Sequence, residues 1–223
     1  HEKLTDMRLL ALLGNRQIGR LQFCEPGQLL PENHTVDLKE LLHGGRSPDL
    51  FEYLINHFMA SGVSGVQPKV LATSAERVEK SAIIAPNLII KSAGNDYPFL
   101  TQNEYLCMSV ARRAGLSVPE FWLTDDHGLF VMRRFDLSAT GPLGFEDMAT
   151  ILGKHRDNTG DYKYQGSYEA IAKVIGALCH QNLKDFFEYV ALSVLLRNGD
   201  GFRFCIAALR CGHHHDLQQH DLS

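Results

Sequence analysis

The sequence lacks the features that would assign it at once to several large protein classes. No apolar run reaches the ~18 residues that a bilayer-spanning helix needs, and the first residues do not have the charged-then-apolar layout of a signal peptide. The five cysteines are scattered and form no C-x-x-C pair of the kind that binds zinc. We therefore expect no membrane association, no structural metal and a reducing, cytoplasmic environment.

The charge balance argues against a strongly basic nucleic-acid-binding surface, because the net charge is −4. Hydrophobic residues make up 44% of the chain and charged residues 22%, which favours a folded protein over a disordered one. A length of 223 residues allows one large domain or two small ones. We find no internal repeat.

One stretch, Ser61–Lys69, is rich in glycine and serine and reads S-G-V-S-G-V-Q-P-K. It follows a predicted helix, Pro48–Met59, and runs into a predicted strand, Val66–Ala72. Glycine lets the backbone approach a ligand closely, consecutive N–H groups can bind an anion, and a lysine adds a charge suited to phosphate. The stretch therefore suggests a loop that covers nucleotide phosphates, although it contains no Walker A G-K-[ST]. An ordinary helix-to-strand connection is the alternative.

The remaining hydrophobic pattern predicts a small sheet followed mostly by helices. The predicted strands are Gln17–Phe23, Leu88–Ile90, Phe121–Leu123 and Leu129–Met132, and the predicted helices are Val36–Leu42, Thr101–Ala114, Glu146–Leu152, Ser167–His180 and Leu183–Leu196. Strands gathered early and helices gathered late predict an α+β protein with two lobes.

Two charged residues stand where nucleotide chemistry would use them. Lys91 ends the apolar strand N-L-I-I-K, from which it can reach a phosphate or point into solvent. Glu104 lies on the next helix and can pair with Lys91, as a helix glutamate does in kinases. The alternative for Glu104 is a capping box, because Thr101-x-x-Glu104 fits that motif.

Two further segments contain residues that can belong to a nucleotide-binding or catalytic site. The segment that contains Met132, Arg133, Phe135 and Asp136 leaves a strand. Its backbone can form hydrogen bonds with an adenine, and Asp136 can bind a ribose hydroxyl. The alternative is an ordinary charged strand end. Asp200 follows a long apolar helix in the turn N-G-D, where it can accept a hydroxyl proton or simply belong to a helix-ending turn. The order of all these features is that of a protein-kinase-like fold.

Several blocks together resemble the HipA family of serine/threonine kinases from bacterial toxin–antitoxin systems. The blocks are S-G-V-S-G-V-Q-P-K-V, L-I-I-K, Q-N-E-Y-L-C-M-S-V-A-R-R-A-G-L-S-V-P, F-V-M-R-R-F-D and N-G-D. The resemblance covers roughly residues 8–200. It implies a two-lobed kinase-like fold, ATP with Mg²⁺, a protein substrate such as an aminoacyl-tRNA synthetase, and a helix-turn-helix antitoxin as partner, through which any contact with nucleic acid would be indirect.

The resemblance also implies roles for individual residues. Lys91 matches the ATP-binding lysine, Phe135 and Asp136 match the hinge, and Asp200 matches the catalytic aspartate. Ser64 matches a loop serine that some members phosphorylate, whereas Gly62 stands where others carry the regulated serine. The nucleotide-binding residues expected on these grounds are Gly62, Val63, Ser64, Gly65, Val66, Gln67, Lys69, Lys91, Met132, Arg133, Phe135 and Asp136.

The chain departs from the family pattern after Asp200. The family continues as D-x-H-x-K-N-F and later Y-D, whose Asn and Asp hold the metal ions, but here Cys205 stands at the Asn position. The codons of residues 209–215, read one nucleotide later, are compatible with Tyr-Asp-Val-Val-Thr-Thr-Thr. We therefore interpret the sequence as truncated or frameshifted, with a remnant N-terminal subdomain (1–45), a kinase N-lobe (46–137), a partial helical lobe (138–200) and an atypical tail (201–223).

Three interpretations follow from the sequence. The first is a HipA-like kinase whose present chain is inactive, and the second is a catalytically dead remnant that binds nucleotide or an antitoxin. The third is an unrelated ATP-grasp-like or phosphotransferase fold, which would need a different set of carboxylates.

Overall fold

The chain divides into two compact units, His1–Pro142 and Leu143–Ser223. The computed structural model describes residues 5–14, 18–24, 26–27, 35–44, 49, 69–74, 87–92, 98–154 and 166–197. Of the predicted helix Pro48–Met59, only Asp49 lies within these ranges. Each unit is built around its own apolar cluster.

The first unit contains a five-stranded sheet with the order β1-β2-β3-β5-β4. Its strands are β1 (Thr35–Val36), β2 (Lys69–Ser74), β3 (Leu88–Ser92), β4 (Phe121–Leu123) and β5 (Leu129–Arg133). Among the strand pairs that the structure describes in this sheet, only β1 and β2 run parallel. In the register of the central strands Lys91 lies opposite Lys69 on one side and Phe130 on the other. The strands predicted around Lys91 and Leu129 are therefore present.

Side chains of the central strands alternate between the two faces of the sheet, as a period of two requires. One face is covered by the helix α2 (Leu38–His43) and forms the first apolar cluster. The buried members of that cluster are Leu38, Leu41, Leu88, Ile90, Leu129 and Val131. The alternate residues, which include Lys91 and Phe130, lie on the face that contacts the helix α3 (Leu100–Arg113). This alternation places a charged residue beneath a helix without disturbing the cluster.

The residues that follow the first helix differ from their prediction. The helix α1 (Asp6–Leu13) is capped by Thr5, whose side chain accepts a hydrogen bond from the Arg8 amide, and Gly14 caps its other end. The predicted strand Gln17–Phe23 is wrong, because residues 18–24 have no strand geometry and fold back until the Phe23 amide donates to the Gly14 carbonyl. Val36 belongs to β1 rather than to a helix, since Asp37 caps α2.

The first unit ends in a two-stranded ribbon that the sequence did not indicate. Its strands are β6 (Leu137–Ser138) and β7 (Gly141–Pro142), paired antiparallel. Gly141 has a φ of +120°, a conformation that suits glycine. This ribbon follows directly on the segment that contains Phe135 and Asp136.

The second unit is helical in its described part. It contains α4 (Met148–Ile151), α5 (Tyr168–Leu178), a 3₁₀ turn (His180–Asn182) and α6 (Leu183–Leu195), close to the predicted ranges. Its buried cluster consists of Met148, Ile171, Ile175 and Phe186. Large apolar side chains are also exposed on α5 and α6: Leu178, Phe187, Val194 and Leu195. The α+β class is confirmed, and no helix in the described ranges is long and apolar enough to cross a membrane.

Candidate functional site

The side chains of Lys91 and Glu104 form an ion pair within the first unit. Lys91 Nζ lies 2.7 Å from Glu104 Oε1, and the two side chains are 19% and 25% exposed. Lys91 Nζ also lies 5.7 Å from the ring centroid of Phe130, close enough for a cation–π attraction. The pairing that the sequence predicts is therefore present, and it fixes the position of an ammonium group that still has contact with solvent.

The competing interpretation of Glu104 as part of a capping box is wrong. The residue that precedes α3 is Phe99, not Thr101, and no side chain in the described part of the chain caps this helix. Thr101 is buried within the first turn, and its Oγ1 donates to the carbonyl of His127, 2.7 Å away. Because Thr101 is already helical, Glu104 does not return to an N-cap amide and its carboxylate reaches Lys91 instead.

Cys107 lies one turn beyond Glu104 on α3. Burial, reinforced by the neighbouring Glu104 carboxylate, raises the pKa of the Cys107 thiol. The raised pKa keeps this thiol protonated at neutral pH. Because the thiolate is the nucleophilic and metal-binding form of cysteine, the protonated thiol is unreactive. Its role here is that of a small, partly buried side chain.

The segment that leaves β5 has its amides largely committed to the sheet. The Arg133 amide donates to the Glu120 carbonyl, and the Arg134 amide donates to the Asn87 carbonyl. The Arg133 side chain also pairs with the Glu120 carboxylate and lies 5.5 Å from the Trp122 ring centroid. An adenine contact along Met132–Asp136 stays a prediction, and it cannot use these two amides.

Asp136 is fully buried, which the ribose assignment did not anticipate. Its side chain is 0% exposed, and both oxygens accept hydrogen bonds from groups of the protein itself. Arg134 donates to Oδ1 through Nε at 2.9 Å and to Oδ2 at 2.5 Å, and the Gly19 amide donates to Oδ2 at 2.6 Å. A ribose hydroxyl would have to reach a fully buried carboxylate to which three protein groups already donate, so this geometry argues against the direct contact that the sequence suggested.

A family model for the HipA-like C-terminal domain matches residues 61–202. The chain belongs to the HipA-like C-terminal domain family. The family resemblance read from the sequence is thereby confirmed.

Comparison with individual proteins agrees with this HipA-like assignment. The chain is 29% identical over 127 residues to "Putative kinase Y4dM" of Sinorhizobium fredii, an alignment that covers 50% of this chain and 30% of the relative. It is 30% identical over 152 residues to a "Putative kinase" of Haemophilus influenzae, covering 62% of this chain and 44% of the relative. The chain thus spans less than half the length of either relative.

A solved structure shares the fold. HipA from the Shewanella oneidensis MR-1 toxin–antitoxin complex with HipB and operator DNA superposes with a TM-score of 0.59 at 18% identity. The superposition covers 90% of this chain and 53% of that one. At this identity the likeness establishes the HipA fold and leaves the activity to be argued separately.

Several predicted site residues of this HipA-like chain lie outside the described residues. They are Gly62, Val63, Ser64, Gly65, Val66, Gln67 and Asp200. Lys69 begins β2 as the backbone partner of Lys91. Within the described ranges no group of three or more His, Cys, Asp or Glu side chains could hold a metal ion.

Sequence reasoning missed Arg134 and Gly19. A usable signal existed for Arg134, because residues two apart in an extended segment lie on the same side, and Arg134 precedes Asp136 by two. No local signal existed for Gly19, which is 117 residues from Asp136. Its φ of +97° is a conformation that glycine adopts readily, but the sequence does not show which glycines need it.

Proposed function

We propose that this chain contains the ATP-binding part of a HipA-type serine/threonine protein kinase from a toxin–antitoxin system. The observation that carries the proposal is the Lys91–Glu104 ion pair, which joins a central strand to the neighbouring helix as in kinases. The family match and the kinase names of two relatives support it. The proposed substrate is a protein, such as an aminoacyl-tRNA synthetase, and the proposed partner is a helix-turn-helix antitoxin.

In this proposal Lys91 and the predicted loop bind nucleotide and position it. Lys91 donates to phosphate oxygens, and Glu104 keeps the ammonium from turning away from them. The loop of Gly62–Gln67 covers the phosphates through backbone N–H groups, with Lys69 at its end. The partly exposed ammonium fits a phosphate, and bound ATP would supply the phosphoryl group for transfer. Asp200 is the proposed base for the accepting hydroxyl.

A comparison of ATP with adenosine tests the proposal. Because the main contact proposed is between an ammonium and phosphate, we expect ATP to bind at least ~10-fold more tightly than adenosine. Isothermal titration calorimetry at fixed ionic strength measures both affinities. Equal affinities, or no binding of either ligand, would contradict a phosphate site at Lys91.

Ser64 is the proposed phosphorylation site. A phosphate on Ser64 adds about −1.5 to −2 charges beside the place proposed for the ATP phosphates. We expect the phosphorylated chain to bind ATP at least ~10-fold more weakly than the unmodified chain, because like charges repel. Co-expression with an active family member, followed by mass spectrometry and titration, checks this. The Ser61→Ala variant is the control, and phosphate found only at other residues would argue against the assignment.

The rival proposal is a catalytically inactive remnant that binds nucleotide or an antitoxin. It is favoured by Cys205, which stands where the resemblance requires the metal-binding asparagine. Both proposals expect this chain to transfer no phosphoryl group, and they differ in what it binds. The first requires ATP at Lys91, whereas the rival also allows an antitoxin to bind without nucleotide, so the ATP titration separates them.

A further inference from the structure

Arg134, Asp136 and Gly19 form a buried ionic network next to the end of β5. The Arg134 side chain is 3% exposed and the Asp136 side chain 0%. The guanidinium grips both carboxylate oxygens at 2.9 and 2.5 Å, a bidentate geometry that only arginine provides. The Gly19 amide adds a third donor at 2.6 Å. The carboxylate charge is thus compensated entirely by the protein.

The third donor comes from a distant part of the chain. Gly19 is itself buried and has a φ of +97°, which presents its amide to Asp136. Four residues later the Phe23 amide donates to the Gly14 carbonyl at 2.9 Å, which ties the segment 18–24 to the end of α1. In the described residues this segment has no strand pairing of its own. Its attachment to Asp136 is therefore a tertiary contact on which its position depends.

We infer that Arg134 and Asp136 act as a clamp that fastens the N-terminal segment 18–24 to the exit of β5. Asp136 is then a positioning residue and not a ribose ligand. The clamp holds Gly19 and the backbone of residues 134–136 in one arrangement. Its effect on nucleotide affinity rests on the proposed function, whereas its effect on the N-terminal segment does not.

Hydrogen–deuterium exchange of the full chain tests the clamp without any ligand. In the Asp136→Asn variant the Gly19 amide loses a charged acceptor. The NH₂ group of the new asparagine is a donor and faces the donor groups of Arg134, so one hydrogen bond to Arg134 is lost. We expect the peptide that contains residues 18–24 to exchange at least ~10-fold faster and the melting temperature to fall by about 6–12 °C. The control is Glu120→Gln, which neutralises the exposed partner of the adjacent Arg133 and should change neither value.

A second variant covers the case in which Asp136→Asn does not fold. Arg134→Lys keeps the positive charge but loses the bidentate grip, so we expect a smaller acceleration at the same peptide. Unchanged exchange of residues 18–24 in a folded Asp136→Asn or Arg134→Lys variant would overturn the clamp.

Nucleotide titration separates a clamp from a ribose ligand. If Asp136 bound the ribose, Asp136→Asn would abolish a preference for ATP over 2′-deoxy- and 3′-deoxy-ATP. The clamp predicts instead that all three affinities fall by the same factor and their ratios persist. If Asp136→Asn loses the preference for ATP over the deoxy nucleotides while the hydrogen exchange of residues 18–24 is unchanged, the ribose assignment is restored and the clamp is rejected. Accelerated exchange in a chain that binds none of the three nucleotides would reject the proposed function and leave the clamp standing.

Discussion

Replacing Lys91 with alanine is expected to weaken ATP binding by roughly 10- to 150-fold, which corresponds to the ~1.5–3 kcal/mol of a hydrogen bond to a charged group. The change removes the ammonium that the proposed function places on the phosphates. It leaves the apolar cluster intact, because Lys91 lies on the opposite face of the sheet from Ile90. Isothermal titration calorimetry measures the loss of affinity.

The same variant should remain folded. Glu104 loses its partner but is 25% exposed, so water can solvate the carboxylate. The free energy of unfolding should change by no more than about 1 kcal/mol. Urea unfolding of the variant checks this, and a collapse of stability would mean that the lost affinity reports misfolding.

Two further variants show whether the position of the charge matters. Lys184→Ala removes the same charge from an 81% exposed side chain of α6 and should leave the ATP affinity within about twofold. Glu104→Gln keeps a hydrogen-bond acceptor for Lys91 but removes the negative charge of Glu104. We therefore expect the ATP affinity to fall by up to about fivefold. Equal affinity in the wild type and Lys91→Ala would reject the assignment of this lysine to ATP.

The part of the fold that the sequence predicted best is the part whose signals are local. The runs around Leu88 and Leu129 are short and begin with three consecutive buried apolar residues, and the helix that contains Thr101 ends before Gly115. Because Lys91 ends one run and Glu104 follows a few residues into the helix, their pairing could be inferred from known kinase geometry.

The errors arose where a distant contact decided the outcome. The capping box required Thr101 to precede the helix and its hydroxyl to accept from a helix amide, but the helix already begins at Leu100 and the hydroxyl donates to the His127 carbonyl. The residues near Gly19 have an apolar pattern that resembles a strand, yet they have no strand partner among the described residues. The ribose contact of Asp136 stays a prediction, and the structure adds what the sequence could not show, that Arg134 and Gly19 donate to its buried carboxylate.

Large apolar side chains are exposed in both units. In the first unit Met7 is 74% exposed and Phe99 73% exposed. In the second unit Phe187 is 71% exposed and Leu195 79% exposed on α6. Exposed apolar surface of this kind favours association. Binding measurements on this chain therefore need a check of its oligomeric state at the concentration used.

The 223-residue chain is expected to transfer no phosphoryl group above the background rate. Such transfer depends on positioning and on metal ions that neutralise charge on the phosphoryl group. A base such as Asp200 typically contributes ~10²–10⁴-fold, which does not replace a metal site. The resemblance requires an asparagine where Cys205 stands, and Mg²⁺ prefers oxygen ligands. Asp216 and Asp221 add carboxylates, but they lie in a sequence rich in His and Gln that has no predicted strand.

An assay with labelled ATP, run with and without Mg²⁺, measures this, and Asp200→Asn is the matched control. We expect the wild type and Asp200→Asn to show the same background labelling. We also expect ATP binding to depend on Lys91. That combination would identify a nucleotide-binding protein without transferase activity. Labelling that requires Mg²⁺ and disappears in Asp200→Asn would contradict the prediction, because it would mean that a carboxylate other than the family's ligand holds the metal beside Asp200.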